Sequence, residues 1–232
     1  ILAVGQSQAL AHGLGAKDRV LAAAPLVYTG SCVSVFMQSV VYPGATMVLM
    51  AEFDPERGLD AIIEHGVTAT TMVPVIWEMM ARLPRFAQID VSTFRYAGAG
   101  GAPVSPDLLE SYRSRGIPLN QVYGLTEASG LAASLSYEDA LDNPGFAGLP
   151  LVGTEIRIGR PDGGWAEPNE VGEIMVKGPH VMQGYWNRPE ATAETLVDGW
   201  LKTGDLGLQN EAGFLKLVDR SKDMLISGGI NV

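Results

Sequence analysis

Apolar positions change their spacing near Asn143-Pro144-Gly145, and that change divides the chain into two kinds of structure. Before it, short β-branched or apolar runs alternate with stretches of helical spacing. Residues 19–24, 45–50, 69–73, 95–97 and 119–123 have the composition of buried strands. Residues 1–14 suit the latter part of a helix ending near Gly13 and Gly15, and residues 31–41 form an apolar helical stretch broken by Pro43-Gly44. Asp54-Pro55-Glu56 is a helix start: an N-cap carboxylate, a proline in the first turn and a second acid at the positive end of the dipole. Leu59, Ile62 and Ile63 make its expected buried face and Gly66 its stop. Pro74 opens a helix through Met80, and Ser105-Pro106 opens another that carries Leu108, Leu109 and Tyr112 towards Gly116. Strand and helix in regular alternation predict an α/β layer, a mostly parallel sheet flanked by helices.

From Thr154 onward the strands shorten and turn chemistry separates them: Pro161-Asp162-Gly163-Gly164, Asp198-Gly199 and Glu211-Ala212-Gly213. This half is expected to be a small antiparallel distorted β-barrel or sheet, interrupted by one helical island at residues 189–196. The expected partition is 1–147 for the α/β part, 148–221 for the β-rich part, and 222–232 for a hinge and the start of a further, C-terminal domain.

Composition narrows the function. With 232 residues, 47% of them hydrophobic, the chain can bury a substantial core. A net charge of -10 leaves no broad basic surface for a polyanion, which argues against nucleic acid as a partner. A small anionic ligand is compatible, because a few local donors and one magnesium ion can hold a phosphate within an acidic protein. The single cysteine, Cys32, excludes an internal disulfide and fits a reducing, cytoplasmic setting; it suits a small buried hydrophobe better than a nucleophile. No apolar run reaches the roughly 18 uncharged residues that a membrane span requires. A start at Ile1 without methionine and a stop at Ile230-Asn231-Val232 in mid-pattern suggest a piece of a longer protein. Apolar surface uncovered in such a piece would favour self-association, so a homo-oligomer is left open.

Candidate chemistry gathers around Tyr123-Gly124-Leu125-Thr126-Glu127. Thr126 offers a hydroxyl to a phosphate oxygen and Glu127 a carboxylate to magnesium, while Gly124 lets a ligand approach the backbone. The same Thr-Glu pair also suits an ordinary helix N-cap with a first-turn acid. Residues 98–103, Gly-Ala-Gly-Gly-Ala-Pro, follow a strand and precede a helix, a place for backbone groups to face a ligand or simply for a tight turn. Proline at 103 breaks the dinucleotide fingerprint. Asp205, after Gly204, can accept two hydrogen bonds from a vicinal diol or can cap a turn. Arg220 presents a planar fork to sugar or phosphate, or an ion pair to Asp219 or Asp223. His12, His65 and His180 share no metal-ligand spacing.

Taken in order, five motifs resemble the adenylate-forming superfamily of acyl-CoA synthetases, luciferases and peptide-synthetase adenylation domains. They are Tyr96 to Pro103; Gln121 to Glu127; Gly172-Glu173-Ile174 with Gly184-Tyr185-Trp186; Trp200 to Asp205; and Asp219-Arg220-Ser221-Lys222-Asp223 with Ser227-Gly228-Gly229. The resemblance covers nearly the whole chain from about Asp18. It implies that a carboxylate attacks the α-phosphate of ATP, pyrophosphate leaves, and a thiol opens the acyl-adenylate. By that resemblance Gly101, Ala102 and Pro103 line the adenine, Tyr123 stacks on it with Gly124 beside it, and Thr126 bonds the α-phosphate. Glu127 is the implied Mg2+ ligand, and Asp205 holds the ribose with Arg220 near the same sugar. Lys222 is the implied interdomain hinge, and Tyr28, Val73, Gly98 and Gly124 form the implied acyl pocket. Tyr28 stands where the family commonly has histidine.

Residues 226–232 and the lysine at 222 resemble the acyl-CoA synthetase branch, with CoA as acceptor, more than adenylation domains that load a carrier protein. A non-catalytic nucleotide or acyl-adenylate binding module is the third alternative. The family's phosphate loop and its C-terminal catalytic lysine have no counterpart in these residues. The expectation is therefore weak nucleotide binding and little or no pyrophosphate exchange from the isolated 232 residues; robust exchange would overturn it.

Overall fold

In the computed structural model, which describes residues 1–102, 104–117, 119–220, 226–227 and 230–231, the apolar runs of the first half line up as one sheet. Strands β1 (Arg19–Ala22), β2 (Thr46–Leu49), β3 (Ala69–Met72), β4 (Tyr96–Ala99) and β5 (Leu119–Tyr123) pair in parallel in the order β2-β1-β3-β4-β5. Two short antiparallel strands, β6 (Ala133–Ser134) and β7 (Leu149–Pro150), extend this sheet to seven.

Side-chain alternation along the strands splits the core in two. Leu21, Met72, Ala97 and Ala99 face α2 (Pro55–His65), α3 (Pro74–Ala81) and α4 (Pro106–Arg113), where Leu59, Trp77 and Tyr112 are fully buried. Val20, Ala22, Ala69 and Tyr96 face the other way, towards α1 (Leu2–His12) and the helix Gly30–Val41. The helices thus cover both faces of the sheet, as the alternating pattern predicts.

Local chemistry explains where these elements start and stop. Asp54 accepts from the Arg57 N–H at 2.9 Å, and Gly66, at φ 55°, terminates α2 in the left-handed conformation. Three details differ from the expectation. Ile63 is 44% exposed, because the stripe that α2 buries is Gly58, Leu59 and Ile62. Residues 30–41 wind as a π-helix, with Tyr42 N–H reaching Met37 O at 3.1 Å; apolar spacing alone does not separate this winding from an α-helix. Finally, β4 continues through Gly98 to Ala99. Glycine at 98 answers crowding within the sheet: a Cβ there would lie 2.6 Å from the Tyr96 hydroxyl and 2.7 Å from Thr71 Oγ1.

The second half forms an antiparallel sheet in the order β10-β11-β9-β8, with β12 on the free part of β11. Its strands are β8 (Glu155–Gly159), β9 (Gly172–Lys177), β10 (Leu196–Val197), β11 (Trp200–Gln209) and β12 (Leu215–Arg220). Asp198 at φ 51° and Gly199 at φ 80° make the two-residue turn between β10 and β11, as an Asp-Gly pair favours. Two further short helices are α5 (Tyr137–Asp142) and α6 (Pro189–Thr195), and β13 (Ile226–Ser227) pairs with β14 (Ile230–Asn231). The two main sheets share a core in which Tyr123, Ala128 and Ala133 meet Ile174, Val176, Leu201 and Leu215. Backbone bonds stitch them together, Ala147 N–H to Leu215 O at 2.6 Å and Leu215 N–H to Gly148 O at 2.8 Å.

One packing contact gives a pH signature. His12 lies face to face on Tyr96 with ring centroids 3.8 Å apart, and desolvation lowers its pKa from 6.5 to about 4. The folded chain therefore holds His12 neutral where the unfolded chain protonates it, so stability is lost as pH falls from 6.5 towards 4. At about 1.4 kcal/mol per unit, this contribution is roughly 3 kcal/mol. Urea midpoints at pH 7 and pH 4.5 should differ less in His12→Gln than in the parent chain.

Candidate functional site

Parallel strands deliver their loops to one edge, where open α/β sheets bind ligands. At that edge Val73 follows β3, Gly100-Gly101-Ala102 follows β4, and the segment from Gly124 to Gly130 follows β5. Gly101 has φ 82°, so this turn needs a residue without a Cβ. Pro103 lies outside the described residues.

The segment after β5 folds back on itself. A Cβ on Gly124 would sit 1.7 Å from Gly130 O, so the backbones touch and no other residue fits. Gly130 N–H bonds Leu125 O at 3.1 Å and Ala132 N–H bonds Tyr123 O at 2.9 Å, closing the loop. Thr126–Ala128 is a single 3-10 turn that ends at Ser129, φ 55°. Leu125 occupies the cap, and Thr126 stands inside the turn and makes no cap bond. The ordinary N-cap reading of Thr126 therefore fails. Its exposed hydroxyl meets Thr29 Oγ1 at 3.1 Å instead.

Glu127 is held from a distance. The Tyr185 phenol donates to its Oε1 at 2.9 Å, and Met182 N–H donates to its carbonyl at 2.7 Å. Burial first, and then the carboxylate beside it, push the Tyr185 pKa above its ordinary value, so the phenol remains a donor at neutral pH. Ser129 Oγ donates to His180 O at 2.7 Å, and Gln38 Nε2 to Ser129 O at 2.7 Å. The turn is thus strapped on one side by residues 180–185 and on the other by the π-helix.

Asp205 approaches from the second sheet. Between Lys202 and Leu206, β11 carries extra residues against β9, where Lys202 pairs with Met175 and Leu206 with Glu173. This bulge re-aims the strand. Thr203 Oγ1 donates to Ile174 O at 2.7 Å, Gly204 N–H to Glu173 Oε1 at 3.0 Å, and Asp205 N–H to Thr203 Oγ1 at 3.1 Å. Asp205 is 5% exposed and accepts from the Tyr123 hydroxyl at 2.8 Å. Arg220 is its backbone partner across β12, and Lys222 lies outside the described residues.

Of the acyl-pocket candidates, Tyr28 is exposed just before the π-helix, which begins as Cys32 N–H bonds Tyr28 O at 2.8 Å. The bond from Thr29 to Thr126 brings that segment to the turn after β5. Val73 is half-buried, and Gly98 lies within β4 with its carbonyl accepting from Trp77 Nε1 at 3.0 Å. Cys32 is a free, half-buried thiol. Among the described residues no three His, Cys, Asp or Glu side chains gather into a metal-binding cluster. Sequence spacing gave Tyr185 no role, because its contact with Glu127 spans 58 residues and belongs to no periodic pattern.

A family model described as "AMP-binding enzyme" matches residues 2–186. The chain belongs to the AMP-binding enzymes. It is 44% identical over 225 residues to a 2-succinylbenzoate–CoA ligase of Geobacillus kaustophilus, covering 97% of this chain and 45% of that protein. It is also 41% identical over 219 residues to a feruloyl-CoA synthase of an Amycolatopsis species, covering 94% of this chain and 44% of that protein. The structure matches O-succinylbenzoate coenzyme A synthetase of Bacillus subtilis in complex with ATP and magnesium ion. The TM-score is 0.88 at 39% identity, over 99% of this chain and 47% of the other. This AMP-binding chain therefore spans about half the length of the relatives it matches.

Removing the Tyr123 hydroxyl leaves a buried carboxylate with one donor fewer. Tyr123→Phe is expected to cost about 2 kcal/mol, on the scale of hydrogen bonds to charged groups, read as a lower urea midpoint with an unchanged slope.

Proposed function

We propose that these residues form the adenylating half of an ATP-dependent carboxylic acid:CoA ligase. The observation that carries this reading is the convergence of Thr126, Glu127 and the Tyr123–Asp205 pair on one strand edge, from two sheets, in a chain of the AMP-binding family. The relatives' activities, CoA ligation of 2-succinylbenzoate and feruloyl-CoA synthesis, support the same chemistry.

In this reading the Asp205 carboxylate accepts from the ribose diol, and Arg220 lies beside the same sugar. Gly101, Ala102 and Pro103 border the adenine, and Tyr123 forms the wall against which it rests. Thr126 exchanges its bond with Thr29 for one to the α-phosphate. The acid enters beside Tyr28, Val73, Gly98 and Gly124, and one of its oxygens attacks phosphorus as pyrophosphate leaves. The sulfur of CoA then displaces AMP at the acyl carbon. Lys222 is the pivot between these two half-reactions.

Mg2+ bound at Glu127 would neutralise charge developing on the phosphates. A lone carboxylate fits that ion, which takes one or two carboxylates together with substrate oxygens and water rather than an all-protein cage. No helix among the described residues is long and apolar enough to cross a membrane. The single cysteine supports a cytoplasmic setting.

An acid panel on the longest natural chain carrying these residues tests the reading. It should include aromatic acids, with pyrophosphate release followed with and without CoA. The expected outcome is acid-dependent pyrophosphate release and a CoA thioester; a thioester on a carrier protein but none on CoA would sink the ligase assignment. Thr126→Ala should lower adenylation about 100-fold, the scale for losing a donor to charge that develops in the transition state.

A further inference from the structure

We propose that Tyr185 is a positioning residue for Glu127: its phenol pins one carboxylate oxygen so that the other is presented to a divalent cation arriving with the nucleotide. The proposal rests on the adenylate-forming reading above and assigns a device within it.

The geometry carries the argument. The phenol donates to Oε1 at 2.9 Å, and the same strap takes the Glu127 carbonyl through Met182 N–H at 2.7 Å and Ser129 Oγ through His180 O at 2.7 Å. Glu127 is therefore gripped at both backbone and side chain by one segment. That segment is itself fixed. Tyr185 N–H bonds Thr192 Oγ1 at 2.9 Å, Thr192 Oγ1 donates to Arg188 O at 2.8 Å, and Arg188 N–H returns to Tyr185 O at 3.2 Å. Gly184 has φ 148°, and a Cβ there would meet Thr192 Cγ2 at 2.7 Å, so the chain lies directly on the first turn of α6.

The chemistry of the partner matters as much as its position. Among the described residues Glu127 makes no ion pair with Lys or Arg. Its side-chain partner is a neutral donor. A cationic partner would compete with a metal ion by charge, whereas a phenol restricts the rotamers of a long side chain and leaves its charge available.

The test compares the parent chain with Tyr185→Phe, Glu127→Gln and the double variant, in the longest natural chain. Calorimetry measures ATP affinity with Mg2+ and with EDTA, and the Mn2+ EPR spectrum of the ATP complex reports the cation's surroundings. Tyr185→Phe should keep the thermal midpoint and the EDTA affinity of the parent while losing roughly tenfold in the metal-dependent part. It should add nothing in the Glu127→Gln background. Thr192→Val should reproduce part of the loss, and Thr192→Ser should restore it. Equal metal dependence in Tyr185→Phe and the parent overturns the proposal, as does the same loss in the Glu127→Gln background. If the parent itself binds ATP no differently with Mg2+ than with EDTA, the adenylate-forming reading falls and takes this one with it.

Discussion

The tightest glycine contact among the described residues is that of Gly124 with the Gly130 carbonyl, where a Cβ would sit 1.7 Å from the oxygen. Backbone lies against backbone, so the chain leaving β5 must reverse within one 3-10 turn. That reversal keeps Thr126 at the rim and aims Glu127 towards the second sheet. It also sets Ser129 between Gln38 and His180. A larger residue at 124 would force the loop open and separate all of these contacts together. The glycine is therefore a steric condition for the candidate site.

Two carboxylates define the candidate site, and each is held by a phenol. Tyr123 from the first sheet reaches Asp205 in the second, and Tyr185, before α6, reaches Glu127 after β5. Both bonds cross between the halves of the chain, over 82 and 58 residues respectively. They join the halves at the candidate site, while backbone bonds of Leu215 to Ala147 and Gly148 join them elsewhere. The bulge in β11 makes the first crossing possible, since regular pairing would carry Asp205 along the strand rather than towards Tyr123.

What the sequence made legible was local or ordered. Asp54-Pro55 and Gly66 bound α2 because capping is decided within a few residues, and Asp198-Gly199 makes its hairpin for the same reason. Strand-helix alternation foretold the parallel sheet. Strands β6 and β7, two residues each, carry no periodicity; β6 adds to the edge of β5, and β7 to the edge of β6. Ile63 differs from its expected burial because apolar spacing gives a face only to within one position, and helical spacing at residues 31–41 marks a helix without fixing its π winding. At the candidate site, Thr126, Glu127 and Asp205 stand out in the sequence as candidates by residue type and order. Their partners Thr29, Tyr185 and Tyr123 depend on how the sheets pack, which no spacing encodes.

The π-helix has a consequence for how this region tolerates change. Gln38 supports Ser129 only while the winding from Gly30 keeps its amide on that side. A substitution at an outward position leaves the register alone. Deleting a single residue between Gly30 and Gln38 turns every later side chain by about 100° in α-helical terms, withdrawing the amide and rotating buried Val40 away from the sheet. The segment is thus permissive at its outward positions and strict in length.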